Sequence, residues 1–594
     1  MDIDRRFALL PLALFSLSSF TMGSAARISE QTVRALDPSL AALRLCSDRR
    51  LFARGTPAWL KAARSSESLQ GATGVLPLVP GIIDLGFKVS TQNQLAQKYF
   101  NQGMLLTYGF NQLGAIRAFR EAQRLDPACA MCWWGEALAQ GPNINAPMDP
   151  ETNDRVMATL AEAKRLVQVQ ASPVERALVT ALAQRYSGNP ATDRAALDKA
   201  YADAMFKVAA AFPGQDDVAL LTAESEMDLR PWDYWEADKS IAKGRIADAV
   251  SLVEGVLARN PNQPQAAHLY IHLLENSADP KRAEAAADRL ASADMSGAGH
   301  LVHMPSHLYY VLGRFKDSLR VNIAAARADE AYLKLTHEQG LYRYTYYPHN
   351  VHFIVSSAQM AGDGVTALRE ARRLKTLLDP KVTASLPWVQ AIEAAPFLAA
   401  AQFDEPEAIL KQKAPVSGLP YVMGMWHYAR AVAYAHRKDT RSFARELSEI
   451  DRLRTSADFK TMTDSLMPAP ELLQLAASVA RGKLAYSLGH YPDAVEHFNA
   501  AAKIENGIWY QEPPYWYYPV HQSLGAALYR AGDLMGARQA YLHALAQYPN
   551  NGWALFGLAK VHEALGDRPN LAATRAAFQK AWLGNPGWIT VDRI

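Results

Sequence analysis

The sequence predicts an all-α fold, an α-solenoid in which antiparallel helix pairs stack along one array. The first reason is a pattern of small and aromatic residues at fixed offsets, which occurs near both ends of the chain. Its N-terminal copy is Gly103, Ala115, Phe119, Ala122 and Pro127, and its C-terminal copy is Gly525, Ala537, Tyr541, Ala544 and Pro549. The second reason is length, since 594 residues exceed what one compact core usually supports.

A further copy of the pattern, without the proline, consists of Gly482, Ala494, Phe498 and Ala501. Small residues at these positions let two helices touch, the aromatic residue fills the space between them, and proline ends the second helix. The pattern resembles the tetratricopeptide (TPR) repeat of about 34 residues. The resemblance implies a TPR-like superhelix of about nine or ten helical pairs with insertions.

Composition excludes several classes of protein. Hydrophobic residues make up 49% of the chain and charged residues 20%, which is typical of a folded protein and not of a disordered one. Lys+Arg 62 against Asp+Glu 59 leaves a net charge of +3, which excludes a general nucleic-acid binder. Three cysteines do not supply a disulfide framework.

Residues 1–25 have the features of a cleaved signal peptide. Arg5 and Arg6 precede an uncharged apolar run, and small residues follow it at positions 23–25. We therefore expect a periplasmic or secreted protein. Later apolar runs are too short to cross a bilayer, so no integral membrane segment is expected after signal removal. Residues 26–90 lack the repeat spacing and are predicted to form a non-repeat segment.

Residues 91–245 are predicted to form the N-terminal TPR array, and they contain a close cysteine pair. Cys129 and Cys132 are separated by two residues at a predicted helix start. Such a pair is consistent with a local disulfide, a redox pair or half of a metal site. No histidine follows Cys132, which excludes a covalent c-type haem.

Two irregular stretches of the same array are candidates for the wall of a ligand groove. Turn residues interrupt the helical pattern at 141–148, where Asn143 and Asn145 are candidate ligand contacts. An aromatic insertion at 230–235 contributes Trp232. These residues, with Tyr347 further along the chain, could line a pocket for a small molecule or peptide.

The central repeats, residues 246–375, concentrate histidine at a repeating register. Counted within successive repeats, His268 and His272 take positions five and nine. His303 and His307 take the same two positions 35 residues later. In the following repeat, His352 takes position five and His349 takes position two. Eight of the chain's 15 histidines fall within residues 268–352. They are His268, His272, His300, His303, His307, His337, His349 and His352.

Positions two, five and nine of a helix lie on one face, because offsets of three and four place side chains above each other. The TPR resemblance implies that this face lines the concave groove. We therefore predict a transition-metal site made by His268, His272, His303, His307, His349 and His352. Glu224 and Glu275 are candidate carboxylates that assist catalysis. Pro305 is tolerated only in a first helical turn, so we expect His303 to precede a helix and its spacing to His307 to be less regular.

Histidine-only ligation favours copper or zinc, and a carboxylate ligand would favour iron. The alternative is that these histidines bond tyrosines and backbone along a metal-free polar groove, or form a pH-sensitive ligand site.

The remaining chain is predicted to be helical. Residues 376–470 have a degenerate repeat pattern, and residues 471–594 form the C-terminal TPR array. An aromatic, proline-broken stretch at 509–518 is predicted to be a loop folded over a groove.

Beyond the generic repeat, the chain resembles a family of exported bacterial TPR proteins of largely uncharacterised function. The motifs that carry the resemblance occupy residues 126–135, 141–145, 230–234, 268–272, 299–307 and 347–352. The resemblance implies the fold and export, and it supplies no reaction. Two hypotheses follow: a metal-dependent enzyme that performs oxidation or hydrolysis, and a periplasmic TPR scaffold that binds a peptide or protein partner without catalysis.

Overall fold

The computed structural model describes residues 28–36, 74–81, 85–189, 191–295, 297–508 and 510–594. The predicted signal peptide lies outside these residues, as does most of the 26–90 segment. Within the described residues the chain is helical and contains no β-strand, which confirms the predicted all-α class.

The N-terminal part is an antiparallel array preceded by an isolated helix. Its helices are α1 (Glu30–Leu36), α2 (Gln94–Tyr108), α3 (Gln112–Leu125), α4 (Ala130–Ala139), α5 (Asn153–Leu166), α6 (Pro173–Leu182), α7 (Arg194–Ala211) and α8 (Asp216–Met227). Helix α1 packs far along the chain, where the backbone N–H of Ser29 donates to Asn570 Oδ1 at 3.0 Å.

The central part carries the histidines. Its helices are α9 (Ile246–Arg259), α10 (Pro264–Leu274), α11 (Glu284–Ser292), α12 (Gly299–His303), α13 (Pro305–Val311), α14 (Phe315–Thr336), α15 (Leu341–Tyr344), α16 (Tyr346–Met360) and α17 (Gly364–Leu377).

The C-terminal part continues the array to the end of the chain. Its helices are α18 (Pro380–Ser385), α19 (Pro387–Phe403), α20 (Pro406–Leu410), α21 (Pro420–His436), α22 (Thr440–Ser456), α23 (Lys460–Asp464), α24 (Ala469–Leu488), α25 (Tyr491–Glu505), α26 (Val520–Arg530), α27 (Leu534–Gln547), α28 (Gly552–Ala564) and α29 (Arg568–Ala581). No described helix is long and apolar enough to cross a membrane.

The small and aromatic residues of the repeat pattern meet as predicted. A Cβ placed on Gly103 would lie 2.6 Å from the Phe119 ring, so the aromatic side chain occupies the space that glycine leaves. Gly482 stands in the same relation to Phe498, and Gly525 to Tyr541. This close approach fixes how each helix pair packs.

The array curls until its two ends contact its middle. At the C-terminal end, the Leu583 N–H donates to the Ala361 carbonyl at 2.8 Å, and Trp553 Nε1 donates to the Gln359 carbonyl at 2.8 Å. At the N-terminal end, Arg117 forms an ion pair of 3.2 Å with Glu338. The central helices α10 to α16 are therefore enclosed by both ends of the chain.

Candidate metal centre

Six imidazoles form one continuous cluster at the centre of the curled array. They come from helices α10, α12, α13 and α16, and neighbouring ring centroids lie 4.7 to 5.9 Å apart. The members are His268, His272, His300, His303, His307 and His349. All are buried except His349, which is partly exposed.

The first two pairs of the predicted register adopt the same geometry. His268 and His272 have ring centroids 4.7 Å apart on helix α10, and His303 and His307 also lie 4.7 Å apart. Pro305 begins helix α13 and His303 ends helix α12, so the predicted helix start is correct. The expectation of a less regular second pair is wrong for the rings, because the backbone continues from one helix to the next in nearly helical conformation.

Only one histidine of the third predicted pair joins the cluster. His349, and not His352, points at the cluster, and its partner one turn later is Phe353 at 5.1 Å. Phe353 stacks on His307 at 5.2 Å with an interplanar angle of 13°. His352 faces Tyr517 at 5.8 Å instead. His349 takes position two of its repeat, as His300 does in the repeat before it, so His349 belongs to the cluster as predicted and His352, the other predicted ligand of this repeat, does not.

His300 belongs to the cluster although the register did not select it. Its ring lies 5.3 Å from His268 and 5.8 Å from His303, and neither ring nitrogen has a hydrogen-bond partner among the described residues. The available signal was its offset of three from His303, which places both residues on one helix face.

The Nδ1 atoms of the first pair are each occupied by a side-chain oxygen. His268 Nδ1 lies 2.9 Å from Gln265 Oε1, and His272 Nδ1 lies 2.9 Å from Glu275 Oε1. The Gln265 amide is oriented by its own donation to Glu224 Oε2 at 3.3 Å, which leaves its oxygen facing His268. Both imidazoles therefore carry their proton on Nδ1.

The second pair is held in the same way. His307 Nδ1 donates to Glu275 Oε2 at 3.0 Å, and His303 Nδ1 donates to Asn322 Oδ1 at 2.5 Å. Asn322 is oriented because its amide nitrogen donates to the Ser318 carbonyl at 2.7 Å. One carboxylate, Glu275, thus receives a proton from a histidine of each pair.

With the four protons on Nδ1, each of the four rings keeps its Nε2 lone pair inside the protein. His303 Nε2 and His307 Nε2 are 2.7 Å apart, so their two lone pairs require a shared proton or a metal cation between them. The Nε2 atoms of His268 and His272 have no hydrogen-bond partner among the described residues. Imidazoles that donate through one nitrogen to a fixed oxygen and offer the other are the usual arrangement of metal ligands.

Burial keeps these rings neutral. Desolvation lowers the pKa of His303 to about 4. It also lowers the pKa of His268 and of His307 well below the ordinary value, and neighbouring histidines add to the shift of these two groups. Neutral imidazole is the form that coordinates transition metals.

The two predicted carboxylates have different surroundings. Glu275 is completely buried between His272 and His307, with both oxygens engaged by Nδ1 donors. Glu224 lies behind Gln265 and outside the cluster, and burial raises its pKa to about 8. Glu275 is placed to orient imidazoles, while Glu224 contacts the cluster only through an amide.

A cavity of about 680 Å³ opens onto the cluster. Its lining includes one ring of each pair, His272 and His307, and the two histidines outside the pairs, His300 and His349. The predicted groove residues Asn143, Asn145 and Trp232 also line it. Tyr347 does not, because its hydroxyl turns away to donate to Glu330 at 2.9 Å, and its neighbour Tyr346 takes that place.

The predicted wall residues are bonded to one another. Trp232 Nε1 donates to the Ile144 carbonyl at 3.1 Å and to Asn145 Oδ1 at 3.2 Å, and Asn145 Nδ2 lies 3.2 Å from the Tyr346 hydroxyl. The Trp232 ring meets the His272 ring edge-on at 4.9 Å. The 141–148 loop is therefore fixed against the cluster.

Residues 510–518 close the opposite side of the cavity, as the aromatic stretch predicted. The Tyr510 hydroxyl lies 3.4 Å from Glu275 Oε2, and Glu512 contacts His307 Nδ1 and the Tyr510 hydroxyl. Glu512 is a carboxylate beside the cluster that sequence reasoning missed. It is 163 to 244 residues from the clustered histidines, and no local spacing connects it to them.

The cysteine pair lies away from the cluster. Cys129 and Cys132 form a disulfide at the start of helix α4, and they are not among the residues that line the cavity. Of the three expectations for this pair, the structure contains the local disulfide.

The ligand atoms of the cluster fall into groups small enough to hold an ion. The atoms of His268, His272 and His300 lie within 4.8 Å of one another, as do those of His303, His307 and His349. A further group contains His272, Glu275 and His307. The two predicted pairs thus belong to different three-histidine groups.

No family model matches this sequence, and no curated protein matches it. Among solved structures, the chain is similar to the human IFIT1 dimer with m7Gppp-AAAA (12% identity, 83% of this chain and 90% of that chain, TM-score 0.29). It is also similar to the APC/C hetero-tetramer Cut9-Hcn1 (12% identity, 80% and 77%, TM-score 0.28) and to the P58(IPK) TPR domain (13% identity, 80% and 99%, TM-score 0.20). At these TM-scores the similarity carries no argument about function.

Proposed function

We propose that this chain is an exported helical-repeat metalloenzyme, whose buried histidines bind a transition metal that acts on a small molecule in the adjoining cavity. The proposal depends on one observation above all. Four imidazoles have Nδ1 beside fixed side-chain oxygens, which leaves each Nε2 available to a metal, and two of these Nε2 atoms are 2.7 Å apart. A metal-free polar groove offers no reason for this shared orientation.

Copper and zinc fit the donor set best. The inward-facing donors are imidazole nitrogens, which suit both ions. Iron sites commonly add a carboxylate ligand, but both Glu275 oxygens are engaged by Nδ1 donors, and Glu512 is engaged by His307 Nδ1 and the Tyr510 hydroxyl. The metal would supply either oxidation or a water of lowered pKa for hydrolysis.

The size and lining of the cavity favour a small-molecule substrate. Its volume of about 680 Å³ lies within the range of small-molecule sites, roughly 300–1,000 Å³. Trp232, Tyr346 and Trp388 give it aromatic surfaces, and side chains such as Asn143 and Asn145 give it polar groups. The scaffold hypothesis fits less well, because the histidines adjoin a cavity of small-molecule size that residues 142–148 and 510–512 help to line.

Metal content of the purified full-length protein tests the proposal. We expect a stoichiometric transition metal in the untagged protein and less than a tenth of it in the double variant His268→Ala/His303→Ala. The matched control is His490→Ala/His497→Ala, which removes two histidines outside the cluster and should leave the metal content unchanged.

A wild-type protein that neither contains a metal nor binds added copper or zinc more tightly than the double variant would refute the metal site. Export is tested separately. Expression with residues 1–25 intact in a Gram-negative host should yield periplasmic protein that lacks this segment, and an uncleaved cytoplasmic product would contradict it.

A further inference from the structure

The cluster is divided into two histidine triads of the same design. The first triad is His268, His272 and His300, and the second is His303, His307 and His349. We propose that each triad binds its own metal ion, so that the centre is dinuclear. This inference rests on the proposed metal site and adds the number of ions and their separate ligands.

Each triad combines a pair one helical turn apart with a third ring from the next helical segment. His268 and His272 lie on helix α10 and are completed by His300 of helix α12. His303 and His307 span helices α12 and α13 and are completed by His349 of helix α16. The repeat architecture has therefore produced the same three-ligand arrangement twice in succession.

Six imidazoles are too many for one copper or zinc ion. Such an ion takes about four ligands, and nitrogens about 2.0–2.1 Å from it lie roughly 3.3 Å apart in a tetrahedral sphere. Three protein ligands with an open fourth position are the pattern of catalytic zinc. Two triads supply that pattern twice, whereas a single four-histidine sphere would combine residues that belong to different groups.

The third group does not describe another ion. His272, Glu275 and His307 are close because the carboxylate accepts both Nδ1 protons, at 2.9 and 3.0 Å. Glu275 is therefore a positioning residue, and it orients one ligand of each triad at the same time. A single rigid carboxylate sets the two ions in a fixed relation.

Both triads are open to the same cavity. His272 and His300 of the first triad and His307 and His349 of the second all line it. The His272 and His307 rings, one from each triad, are 5.5 Å apart. A small molecule in the cavity can therefore contact both ions at once, as substrates do in two-metal sites, where the ions are about 3.5–4 Å apart.

Metal stoichiometry of the full chain tests the inference. After chelation the wild-type protein is saturated with Zn²⁺ and, in a separate sample, with Cu²⁺, dialysed and analysed for bound metal. We expect two equivalents per chain. His300→Ala and His349→Ala, each of which removes one ligand from one triad, should each retain about one tightly bound equivalent, and the control His490→Ala/His497→Ala should retain two.

The wild-type measurement decides the outcome even if a variant fails to fold. Two anomalous-scattering peaks in crystals of the zinc-loaded wild type, one at each triad, would support the dinuclear centre. One saturating equivalent, lost in both single variants, would overturn it and leave the proposed metal site intact. No bound metal in the wild type would overturn both.

Discussion

At the residue scale, the proposed metal binding depends on side chains that are not themselves ligands. Gln265, Glu275 and Asn322 fix the Nδ1 protons, and each is itself buried. Without these acceptors an imidazole could carry its proton on Nε2 and would no longer offer a lone pair there. The positioning residues therefore decide which nitrogen is presented.

Glu275→Gln tests this dependence. A glutamine presents one acceptor oxygen and one amide donor, so either His272 would lose its acceptor and could change tautomer, or His307 would depend on Glu512 alone. We expect metal affinity to fall about 10- to 100-fold, measured by competition with a chelator. The control is Glu254→Gln, a carboxylate that accepts from Tyr270 and Arg282 outside the cluster. Equal affinities for both variants would contradict the positioning role.

Asp329 provides a pH-dependent contribution to stability beside the cluster. Burial, opposed by hydrogen bonds from Tyr342 and Asn350, raises its pKa from 3.8 to about 7, with Glu330 adding to the shift and Arg373 opposing it. Between these values the folded protein holds a proton that the unfolded chain has lost, so stability falls as pH rises from about 4 to 7, on the order of 1 kcal/mol per pKa unit.

Asp329→Asn should remove this dependence. The Asn350 amide can turn its unsatisfied Oδ1 toward the new NH₂ group, so the variant should fold. The free energy of unfolding should be measured in urea at pH 5, 6, 7 and 8. Relative to that of the wild type, the value for the variant should rise up to pH 7, and the difference should then stay constant. Parallel stability curves across this range would contradict the assignment.

At the element scale, the repeat is held by an aromatic ring between two glycine-bearing helices. The Phe119 ring lies where Cβ atoms on Gly103 and Gly135 would be, at 2.6 and 2.3 Å. Tyr541 is placed in the same way between Gly525 and Gly557. Each ring therefore packs between the two helices of its own pair and also contacts the first helix of the next pair.

Gly103→Ala should destabilise the protein because its Cβ would collide with a ring that is buried on every side. Overpacking of this kind costs about 1–3 kcal/mol, which would appear as a lower urea midpoint. The control is Gly255→Ala on helix α9, where the nearest contact is a flexible arginine end at 3.5 Å. That change should be neutral or stabilising by up to about 1 kcal/mol. The same loss in both variants would contradict the role of the close approach between Gly103 and Phe119.

At the scale of the whole molecule, closure of the array creates the cavity. The C-terminal helices α27 to α29 return to the central helices, where the Pro549 carbonyl lies against Gly313 and the Trp582 ring against Gly362. Closure also brings residues 510–518 to the cluster. An open solenoid would leave the histidines on an exposed groove, where water would compete for their nitrogens.

Gly313→Ala separates closure from local strain. Gly313 (φ 71°) and Gly489 (φ 82°) are both turn glycines with positive φ, and alanine costs about 1–2 kcal/mol at either. Only Gly313 has the Pro549 backbone where Cβ would be, whereas Gly489 has nothing within 4 Å. We expect Gly313→Ala alone to increase hydrogen exchange in residues 510–518 and 548–553. Similar exchange in both variants would contradict the role of this contact.

The sequence alone determined the fold class, the aromatic–glycine pairing and four of the six clustered histidines by their register, with His349 named as a further ligand. These features are local, because helix periodicity fixes which side chains share a face. Tertiary structure decided the rest. It excluded His352, whose ring faces Tyr517, and it added His300, Glu512 and the Nδ1 acceptors Gln265 and Asn322. It also divided the histidines into two triads and enclosed them, because closure brings together residues hundreds of positions apart that no sequence spacing relates.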